Sequence, residues 1–577
     1  MRQNLHRAVN SKRDNRFNDM IESTKTPVLI AGGGPVGLVL AIDLARRGVR
    51  SILVNREPDT PTHPRGNSNG FRTMEHYRRL GFADAIRRLG PPADHPRDVV
   101  YLTRLTGHEI AREPHPSPDL ERKLCRQPDS LTPEPTHRAN QIQVEAFLKR
   151  HAERLEHCDI RFGWTLTGFR AVQDRVDVDI RDGATGKAER IQCDYLIGCD
   201  GAQSTVRRGL GIAYGGWDTP ELPFMSGRML SAHVRIPGLR EAMPGKPAWQ
   251  HWVLNAEARA VVFALDGRDD YLILFKPRQG ETPEETAETA DAAGFIDTLA
   301  GRRMESEILS VKSWTAGFAL VAERFRQGRV FLAGDSAHLF TPTGGLGMNT
   351  GIEDATNLAW KLAAAEQGWG GPGLLDSYEA ERRPIAIRNT GIARGYSQSL
   401  GTMPIPEGIE ADGEKGERQR AAFAAQLMDT QAGQSMLLGT QLGARYDGSP
   451  LIIGDGTTPP PDDPVRYTPS ACPGGRAPHL WFRNGSTLLD HLGPGFTLLV
   501  DEARGADPRP LMAAASHREI PLHVLWLAET QVDLSRLREL YQKSLVLIRP
   551  DQHVAWRGDA APEDAEGLLR QAAGWLP

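Results

Sequence analysis

The chain has 577 residues, with 73 acidic and 69 basic side chains and a formal net charge of −4. Charges of both signs are mixed along it, which excludes an extended basic surface for nucleic acid. No run of about 18 apolar residues predicts a membrane span. The 5 cysteines form no CxxC pair and no metal-ligand spacing. We therefore predict a cytoplasmic protein without disulfides or a metal site.

The first 25 residues are polar and basic and lack an apolar core. We predict a disordered tail over residues 1–25. Two alternatives stay open: a natural start at Met20, and a short basic tail that binds a partner.

A glycine-rich turn follows the first predicted strand, which is the apolar run 27–31. Gly32, Gly34 and Gly37 have the spacing of a strand–turn–helix unit that binds a dinucleotide at the helix N-terminus. Gly32 permits the tight turn, Gly34 lets a pyrophosphate approach the backbone, and Gly37 lets the helix pack on the strand. Pro35 and Val36, at the start of the helix, belong to the predicted site. Taken alone, the motif could also be a turn that binds nothing.

The second predicted strand, 51–54, ends at Asn55, where a dinucleotide site usually carries an acid for the ribose hydroxyls. An asparagine can accept such a hydrogen bond through its amide oxygen, so we predict Asn55 and the adjacent Arg56 in the cofactor site. The alternative for Asn55 is an ordinary strand end.

The middle of the chain predicts a second, antiparallel sheet for the substrate. Alternating apolar runs at 251–254 and 260–265 are typical of strands. The proline-rich segment 90–140 predicts irregular chain. We assign about 90–140 and 212–320 to a substrate domain interleaved with the first one.

Two further apolar strands end in polar residues that suit a cofactor. The run 195–198 precedes Asp200 and Gly201, and the run 330–333 precedes Gly334 and Asp335. Ligands bind at the carboxyl ends of such strands, and a carboxylate there can accept hydrogen bonds from polyol hydroxyls. The glycine-rich loop that follows is expected to present successive backbone N–H groups at the start of a helix. Such N–H groups are suited to bind an electron-rich ring. The loop residues assigned to the cofactor are Pro342, Gly345, Gly347, Met348 and Asn349.

With these motifs, residues 27–390 resemble the single-component FAD-dependent aromatic hydroxylases, the class A flavoprotein monooxygenases. The resemblance implies that Asp335 holds the ribityl chain of FAD and that Gln141 lies on a helix that contacts the flavin. Four further segments of the chain also resemble this family: His63-Pro64-Arg65, Arg72-Thr73-Met74-Glu75, Gln141-x-x-x-Glu145 and Asp376-Ser377-Tyr378-Glu379-x-Glu381-Arg382-Arg383-Pro384.

The C-terminal part is similar to the thioredoxin-like domain of the phenol hydroxylase branch. The implied fold is α/β, with a Rossmann-like FAD-binding domain over 26–400, a helical segment and linker over 401–464, and the thioredoxin-like domain over 465–577. We expect 401–418 to be a loop. Without CxxC, the last domain is expected to serve packing or dimer contact. The matching segments are 473–479, 495–499 and 549–557.

The resemblance implies a reaction. NAD(P)H reduces the flavin, O₂ forms a flavin C4a-hydroperoxide, and one oxygen atom enters a phenolic ring ortho to its hydroxyl group. No second strand–GxGxxG–helix unit is present, so NAD(P)H is expected to bind transiently at the FAD domain. Arg65 is a candidate contact, and a surface ion pair is its alternative.

The group that activates the phenol is where the chain departs from its relatives. Asn67 stands where the branch carries Asp or His, and an amide cannot accept the phenol proton. Asn67 could position the substrate only, His251 or Tyr271 could be the base, or the substrate could be acidic enough to ionise unaided. His338 is expected to pack near the cofactor.

Three functions remain at this point. The first is hydroxylation of a single-ring or biaryl phenol, and the second is hydroxylation of a larger polyketide or antibiotic aromatic. The third is a flavin-binding protein that does not oxygenate. A flavin halogenase would need a Trp-x-Trp-x-Ile-Pro segment, which the sequence lacks.

The expected partners are a small aromatic substrate and a second copy of the chain in a homodimer. Binding to nucleic acid or to a membrane is not expected.

Overall fold

The computed structural model describes residues 23–218, 227–276, 290–431 and 436–576. Most of the predicted tail therefore lies outside the described residues. Its last three residues, from Ser23 to Lys25, begin the first strand.

The core of the N-terminal part is a sheet of 8 strands. Its inner ladders are parallel, so these strands end at one edge, and the polar residues that follow them lie close together. An antiparallel hairpin, Trp164–Ala171 and Val176–Asp182, is joined to one of the inner strands. The main strands, in spatial order, are Arg326–Gln327, Val330–Leu332, Ala188–Gly198, Ser23–Ala31, Ser51–Asn55 and Cys158–Phe162.

Helices cover this sheet and complete the predicted Rossmann-like arrangement, which is confirmed. Buried apolar side chains of the inner strands pack against Pro35–Arg46 and Leu346–Glu366 in one continuous core. The other helices of this part are Phe71–Arg79, Ala83–Arg87, Gln141–Ala152, Thr205–Gly209 and Gly373–Thr402, with 3₁₀ turns at Gly334–Ser336 and Thr343–Gly345.

The second sheet has 7 strands and is interleaved with the first in sequence. Two of its strands come from the proline-rich segment, so the expectation of irregular chain there was wrong. The prolines flank these strands instead of interrupting them, because a proline cannot donate to a ladder. The strands, in spatial order, are Glu307–Ala316, Gly227–Arg235, Asp270–Phe275, Arg259–Ala264, Gln250–Leu254, Val99–Leu102 and Glu109–Glu113.

The two faces of the second sheet have different neighbours. One face packs on the helix Ala290–Ala300. The other packs on the helix Gly413–Gln431 and carries Ser231, which contacts the first domain through His63. The predicted loop 401–418 is shorter than expected, because flanking helices extend to Thr402 and from Gly413. Smaller elements here are the helices Pro118–Leu124, Leu239–Ala242 and Leu438–Leu442, the sheet Tyr214–Trp217, Ala319–Ala322 and His338–Leu339, and the ladder Ser68–Asn69 with His137–Arg138.

The C-terminal part forms a thioredoxin-like domain, as predicted. A parallel strand pair connected through a helix is followed by two antiparallel strands and a final helix. Its strands, in spatial order, are Leu522–Leu527, Phe496–Asp501, Leu545–Ile548 and Val554–Gly558; its helices are Arg509–His517, Leu534–Tyr541 and Ala565–Ala572, and its 3₁₀ turns are Leu488–His491 and Glu502–Arg504. All 5 cysteines are free thiols.

Buried ion pairs fasten this domain to the FAD-binding part. The Arg476 guanidinium donates to the Glu75 carboxylate, which also accepts from Arg72. Arg549 donates to Glu381 at 2.6 and 2.8 Å. Burying charge is costly unless it is paired, so these contacts fix how the domains dock.

None of the described helices is long and apolar enough to cross a membrane. The same residues contain no group of His, Cys, Asp and Glu side chains that could hold a metal ion.

Replacing Glu75 by Gln should destabilise the folded chain by about 3–5 kcal/mol at pH 7, because two buried cations lose their counter-charge. Burial alone would raise the pKa of Glu75, but Arg476 and Arg72 outweigh it and lower the pKa to about 2. The folded pKa lies below the unfolded one, so this stabilisation is present above about pH 4.5 and lost as the pH falls toward 2. The gap in Tm between wild type and variant should therefore stay constant from pH 7 to about pH 5 and narrow as the pH is lowered from about 4.5 toward 2.

The matched control is Glu539→Gln, whose carboxylate pairs with Arg536 and whose side chain is 67% exposed. We expect it to change stability by less than about 1 kcal/mol. A Glu75→Gln gap that stays constant across the whole pH range would contradict the assigned charge pairing.

Candidate active site

The turn after the first strand touches the loop after the neighbouring one. Gly32 has φ +114°, and a Cβ there would lie 2.1 Å from the backbone oxygen of Cys199. Only glycine permits both this conformation and this contact. The two strand ends are thus held at one point of the sheet edge.

The other two glycines of the turn have different surroundings. A Cβ on Gly37 would lie 2.1 Å from the oxygen of Gly32, so its absence lets the helix pack against the turn. A Cβ on Gly34 would meet no atom within 4 Å. The space in front of Gly34 is open, as close approach of a ligand to the helix start requires. Pro35 and Val36 form the first turn of that helix.

Asn55 lies at the carboxyl end of the second strand, where its amide holds the glycine turn. Its Oδ1 accepts from the Gly33 N–H at 3.0 Å and its Nδ2 donates to the Glu57 carbonyl at 3.2 Å. One lone pair of Oδ1 is left for a ribose hydroxyl, so the predicted contact stays a prediction. Arg56 is exposed and pairs with Glu57.

Asp335 is the carboxylate best placed for a ligand. Within the described residues, its side chain makes no hydrogen bond, and it is accessible to solvent although protein surrounds it. Burial raises its pKa, and His338 and Arg65 partly offset this. Its backbone is fixed, since its carbonyl accepts from the Tyr214 hydroxyl at 2.5 Å. This carboxylate is therefore available to a ligand.

Asp200 has a local structural role as well. Its Oδ2 accepts from the backbone N–H groups of Thr205 and Val206 at 2.7 and 3.1 Å, at the start of the helix Thr205–Gly209. Its Oδ1 is buried without a partner among the described residues. Gly201 supplies the left-handed turn, with φ +81°, between the strand and this helix.

The loop 342–349 presents its backbone to the same cleft. Gly344 and Gly345 both have positive φ, 76° and 62°, directly before the helix Leu346–Glu366. Successive N–H groups at such a turn form an anion-binding concavity. The loop also contains Pro342, Gly347 and Met348, and Met348 packs against the core.

The Asn349 side chain holds this loop and is saturated by protein contacts. Its Oδ1 accepts from the Gly70 N–H and the Thr73 hydroxyl at 2.8 and 2.6 Å. Its Nδ2 donates to the carbonyls of Ser68 and Gly345 at 3.1 and 2.6 Å. A direct cofactor contact by this amide is therefore not favoured; its role in the loop is positional.

Gln141 connects the helix Gln141–Ala152 to the segment that precedes Asn67. Its Oε1 accepts from the Gly66 N–H at 3.1 Å, and its Nε2 donates to Glu145. Arg65 is exposed and makes no hydrogen bond or ion pair within the described residues. It remains free for a transient anionic ligand, as predicted for NAD(P)H.

These features fit FAD. An open pyrophosphate position at Gly34, a free carboxylate at Asp335 and a backbone concavity at 342–349 match the diphosphate, the ribityl hydroxyls and the pyrimidine edge of the flavin. Residues 25–392 match the FAD binding domain family, and residues 470–577 match the aromatic-ring hydroxylase C-terminal family. The chain belongs to the FAD-dependent aromatic monooxygenases.

Individual relatives cover almost the whole chain. The FAD-dependent monooxygenase apdD of Emericella nidulans is 33% identical over 95% of this chain and 90% of its own. Aklavinone 12-hydroxylase RdmE of Streptomyces purpurascens is 32% identical over 94% and 98%. The structure of the rebeccamycin biosynthetic enzyme RebC with reduced flavin has 35% identity and a TM-score of 0.84, over 96% of this chain and 100% of that one. This monooxygenase uses FAD, with NAD(P)H and O₂ as co-substrates.

In this monooxygenase the orientation of the Asn67 amide follows from its neighbours. The Ile142 backbone N–H donates to Asn140 Oδ1 at 3.0 Å, so the Asn140 Nδ2 must point the other way. That nitrogen donates to Asn67 Oδ1 at 2.8 Å. The Asn67 Nδ2 is left without a protein partner among the described residues. Asn67 therefore offers a hydrogen-bond donor where a base was sought.

His251 and Tyr271 do not reach the flavin cleft. Both lie on the face of the second sheet that packs on the helix Ala290–Ala300, opposite the face whose Ser231 contacts His63. The Tyr271 hydroxyl donates to the Arg268 carbonyl at 2.7 Å, and burial raises its pKa. Burial lowers the pKa of His251 to about 4. The structure therefore argues against either residue as the base.

His338 lies in the interior of the cofactor domain, and its packing against the cofactor stays a prediction. It is fully buried, and its Nε2 lies 2.6 Å from Asp354 Oδ2, which also accepts from the Gly334 N–H at 3.1 Å. Arg382 donates to the other oxygen of Asp354 at 2.8 Å. His338 thus positions the Gly334–Asp335 turn.

Two polar residues of the cleft were missed from the sequence. Arg138 donates to the Ser68 hydroxyl, and the Ser68 Oγ would lie 3.3 Å from a Cβ on Gly345 of the flavin loop. Ser68 and Arg138 are opposite each other in a ladder of two residues per strand. So short a ladder leaves no periodicity that could have signalled it.

Replacing Asp335 by Ala should remove most of the bound FAD, because the ribityl hydroxyls would lose their carboxylate acceptor. The ratio of flavin absorbance to protein absorbance after gel filtration measures this. Asp84→Ala, at a side chain that is 83% exposed, is the control and should retain FAD. A yellow Asp335→Ala protein with full flavin content would contradict the assignment.

Proposed function

We propose that this monooxygenase hydroxylates a phenolic ring of a larger polyketide or antibiotic aromatic, ortho to the hydroxyl group. The observation that carries the proposal is the fixed orientation of Asn67. A donor at this place stabilises an oxygen that carries negative charge and does not remove a proton. The site thus suits a ring whose hydroxyl ionises readily. The larger substrate class is supported by the similarity to RebC, a biosynthetic enzyme.

Bound FAD, once reduced by NAD(P)H, supplies the activation of O₂ and the transfer of one oxygen atom. The protein's residues position the ring and favour its reactive form. A hydrogen bond from Asn67 Nδ2 to the substrate oxygen lowers the pKa of that phenol and enriches the ionised, electron-rich ring. The Asn140–Asn67 pair keeps this donor aimed, because its geometry is set by a backbone N–H.

The near face of the second sheet packs on the helix Gly413–Gln431 and reaches the first domain where Ser231 meets His63, and we propose that it closes the substrate side of the site. Its buried side chains exclude water, and water competes with the ring for activated oxygen. Tyr101 and Trp252 stack on this face with ring centroids 6.2 Å apart.

We further propose that the protein acts in the cytoplasm as a homodimer. Light scattering of the FAD-loaded protein tests the homodimer.

The function is tested with FAD-loaded protein in air, by following NADPH and NADH oxidation, peroxide release and product mass. Resorcinol represents the single-ring phenols, 2-naphthol the two-ring phenols and 1-hydroxyanthraquinone the larger aromatics. We expect the largest stimulation with the three-ring compound, and a product with one added oxygen atom. Faster turnover of resorcinol would favour the single-ring class. No oxygenated product from any compound would argue for a flavin-binding protein that does not oxygenate.

Replacing Asn67 by Ala should divert reducing equivalents to peroxide. The loss of one hydrogen bond of about 0.5–1.5 kcal/mol should lower the ratio of product to NAD(P)H consumed by about 2- to 10-fold. Asn484→Ala, at an exposed turn of the thioredoxin-like domain, is the control. An unchanged ratio in Asn67→Ala would remove Asn67 from the site.

A further inference from the structure

Arg138 is a cation in the interior of the protein without a carboxylate partner. No ion pair of the described residues includes it, and its one hydrogen bond goes to the neutral Ser68 hydroxyl. Its guanidinium stacks on the Trp249 ring with 4.3 Å between Cζ and the ring centroid. The aromatic face attracts the cation but carries no net charge.

Other buried arginines of the protein differ from Arg138 because they are paired with carboxylates. Arg382, Arg476 and Arg549 are fully enclosed, and each faces a buried carboxylate. The acidic group that acts on Arg138, Glu121, is itself bound to Arg97. Burial therefore dominates and lowers the pKa of Arg138 to about 9. A charge left in this state costs free energy, which a bound anion would offset.

Two nitrogens of the guanidinium have no protein partner among the described residues. Its Nε is buried without a partner, its Nη1 is used by Ser68, and its Nη2 makes no hydrogen bond within the described residues. Arg138 remains partly accessible to solvent although protein surrounds it, as Asp335 does. Ser68 lies between it and Gly345 of the flavin loop. The donor of Asn67 is adjacent in sequence to Ser68.

We propose that Arg138, with Ser68 and Asn67, forms a subsite that binds an anionic oxygen substituent of the aromatic substrate, such as a carboxylate. The inference rests on the proposed function in that it places this substituent on the ring that enters the flavin cleft. Arg138 pairs with the charged group through its planar fork, and Asn67 donates to a neighbouring oxygen. The site thereby selects an acidic aromatic over its neutral amide.

The test compares matched probes on the FAD-loaded protein. The pairs are salicylate with salicylamide, 1-hydroxy-2-naphthoate with its carboxamide, and anthraquinone-2-carboxylate with its carboxamide. Binding is followed by the flavin absorbance change and by the increase in Tm. Wild type should prefer the carboxylate of at least one pair by about tenfold or more, as expected for charge-assisted hydrogen bonds.

Arg138→Met keeps an unbranched side chain in place of the aliphatic stem and removes the charged guanidinium, and it should reduce this preference to less than about threefold. Arg138→Lys keeps the charge and should restore part of the preference, because Lys lacks the planar fork. Arg170→Met, at a side chain that is 74% exposed, is the control and should bind as wild type does. FAD content and Tm without ligand show whether each variant is folded.

A wild-type protein without preference for any carboxylate would overturn the proposal, and so would a preference retained in folded Arg138→Met. A parallel titration with NADP⁺ separates the substrate from the nucleotide, since Arg138→Met should bind NADP⁺ normally. Loss of NADP⁺ binding alone would overturn the assignment to the substrate. Arg138-dependent carboxylate binding without any oxygenated product would instead contradict the proposed function and leave the subsite standing.

Discussion

A connected set of buried ion pairs determines the shape of the cofactor cleft. Glu381 accepts from Arg549 of the thioredoxin-like domain and from Lys361, while its neighbour Arg382 donates to Asp354. Asp354 in turn accepts from the Gly334 N–H. Each of these charges would be costly alone, so none can move without its partner.

The C-terminal domain is consequently part of the cofactor site, although it contributes no residue to the cleft itself. Its Arg476 and Arg549 neutralise carboxylates on the helices Phe71–Arg79 and Gly373–Thr402, and both helices contact the helix that follows the flavin loop. Burial alone would raise the pKa of Asp354, but His338 and Arg382 outweigh it and keep the pKa low. The carboxylate that holds Gly334 is thus kept ionised by His338 and Arg382 of the FAD-binding part itself. The thioredoxin-like domain adds the neighbouring Arg549–Glu381 pair, which anchors the helix Gly373–Thr402.

Local sequence patterns predicted which strand ends and turns lie together in the cofactor domain. Glycine spacing and strand-ending acids are local signals, and parallel strands bring them to one edge by topology alone. The contact of Gly32 with Cys199 is a direct product of that topology. The role of Asn349 was not readable in the same way, because three of its four hydrogen bonds reach a segment about 280 residues earlier in the chain.

The substrate half depended on facts that a single sequence does not contain. Side chains alternate between the two faces of a strand, so the sequence predicts that His251 and Trp252 lie on opposite faces of the second sheet. Which of these faces is turned toward the flavin depends on how the sheet docks, and the sequence does not show this. Two strands in the proline-rich segment, the edge strand Glu109–Glu113 and its neighbour Val99–Leu102, were missed because prolines next to a strand and prolines within it give the same composition. Arg138 was missed since its partner Ser68 lies 70 residues away, in a ladder too short for a pattern.

The polarity of the cleft connects these observations. The free groups of Asn67 and Arg138 are both donors, and neither can take a proton from a substrate. A wall of donors stabilises oxygen atoms that already carry charge, and so lowers the pKa of a phenol without a base. In such a site, hydroxylation is expected to be faster for a more acidic phenol, because more of the ring is in its ionised form. A ring with an anionic substituent on Arg138 and an ionisable hydroxyl on Asn67 would satisfy both donors at once. On this proposal, the absence of Asp or His at position 67 reflects the acidity of the substrate and not a loss of oxygen transfer.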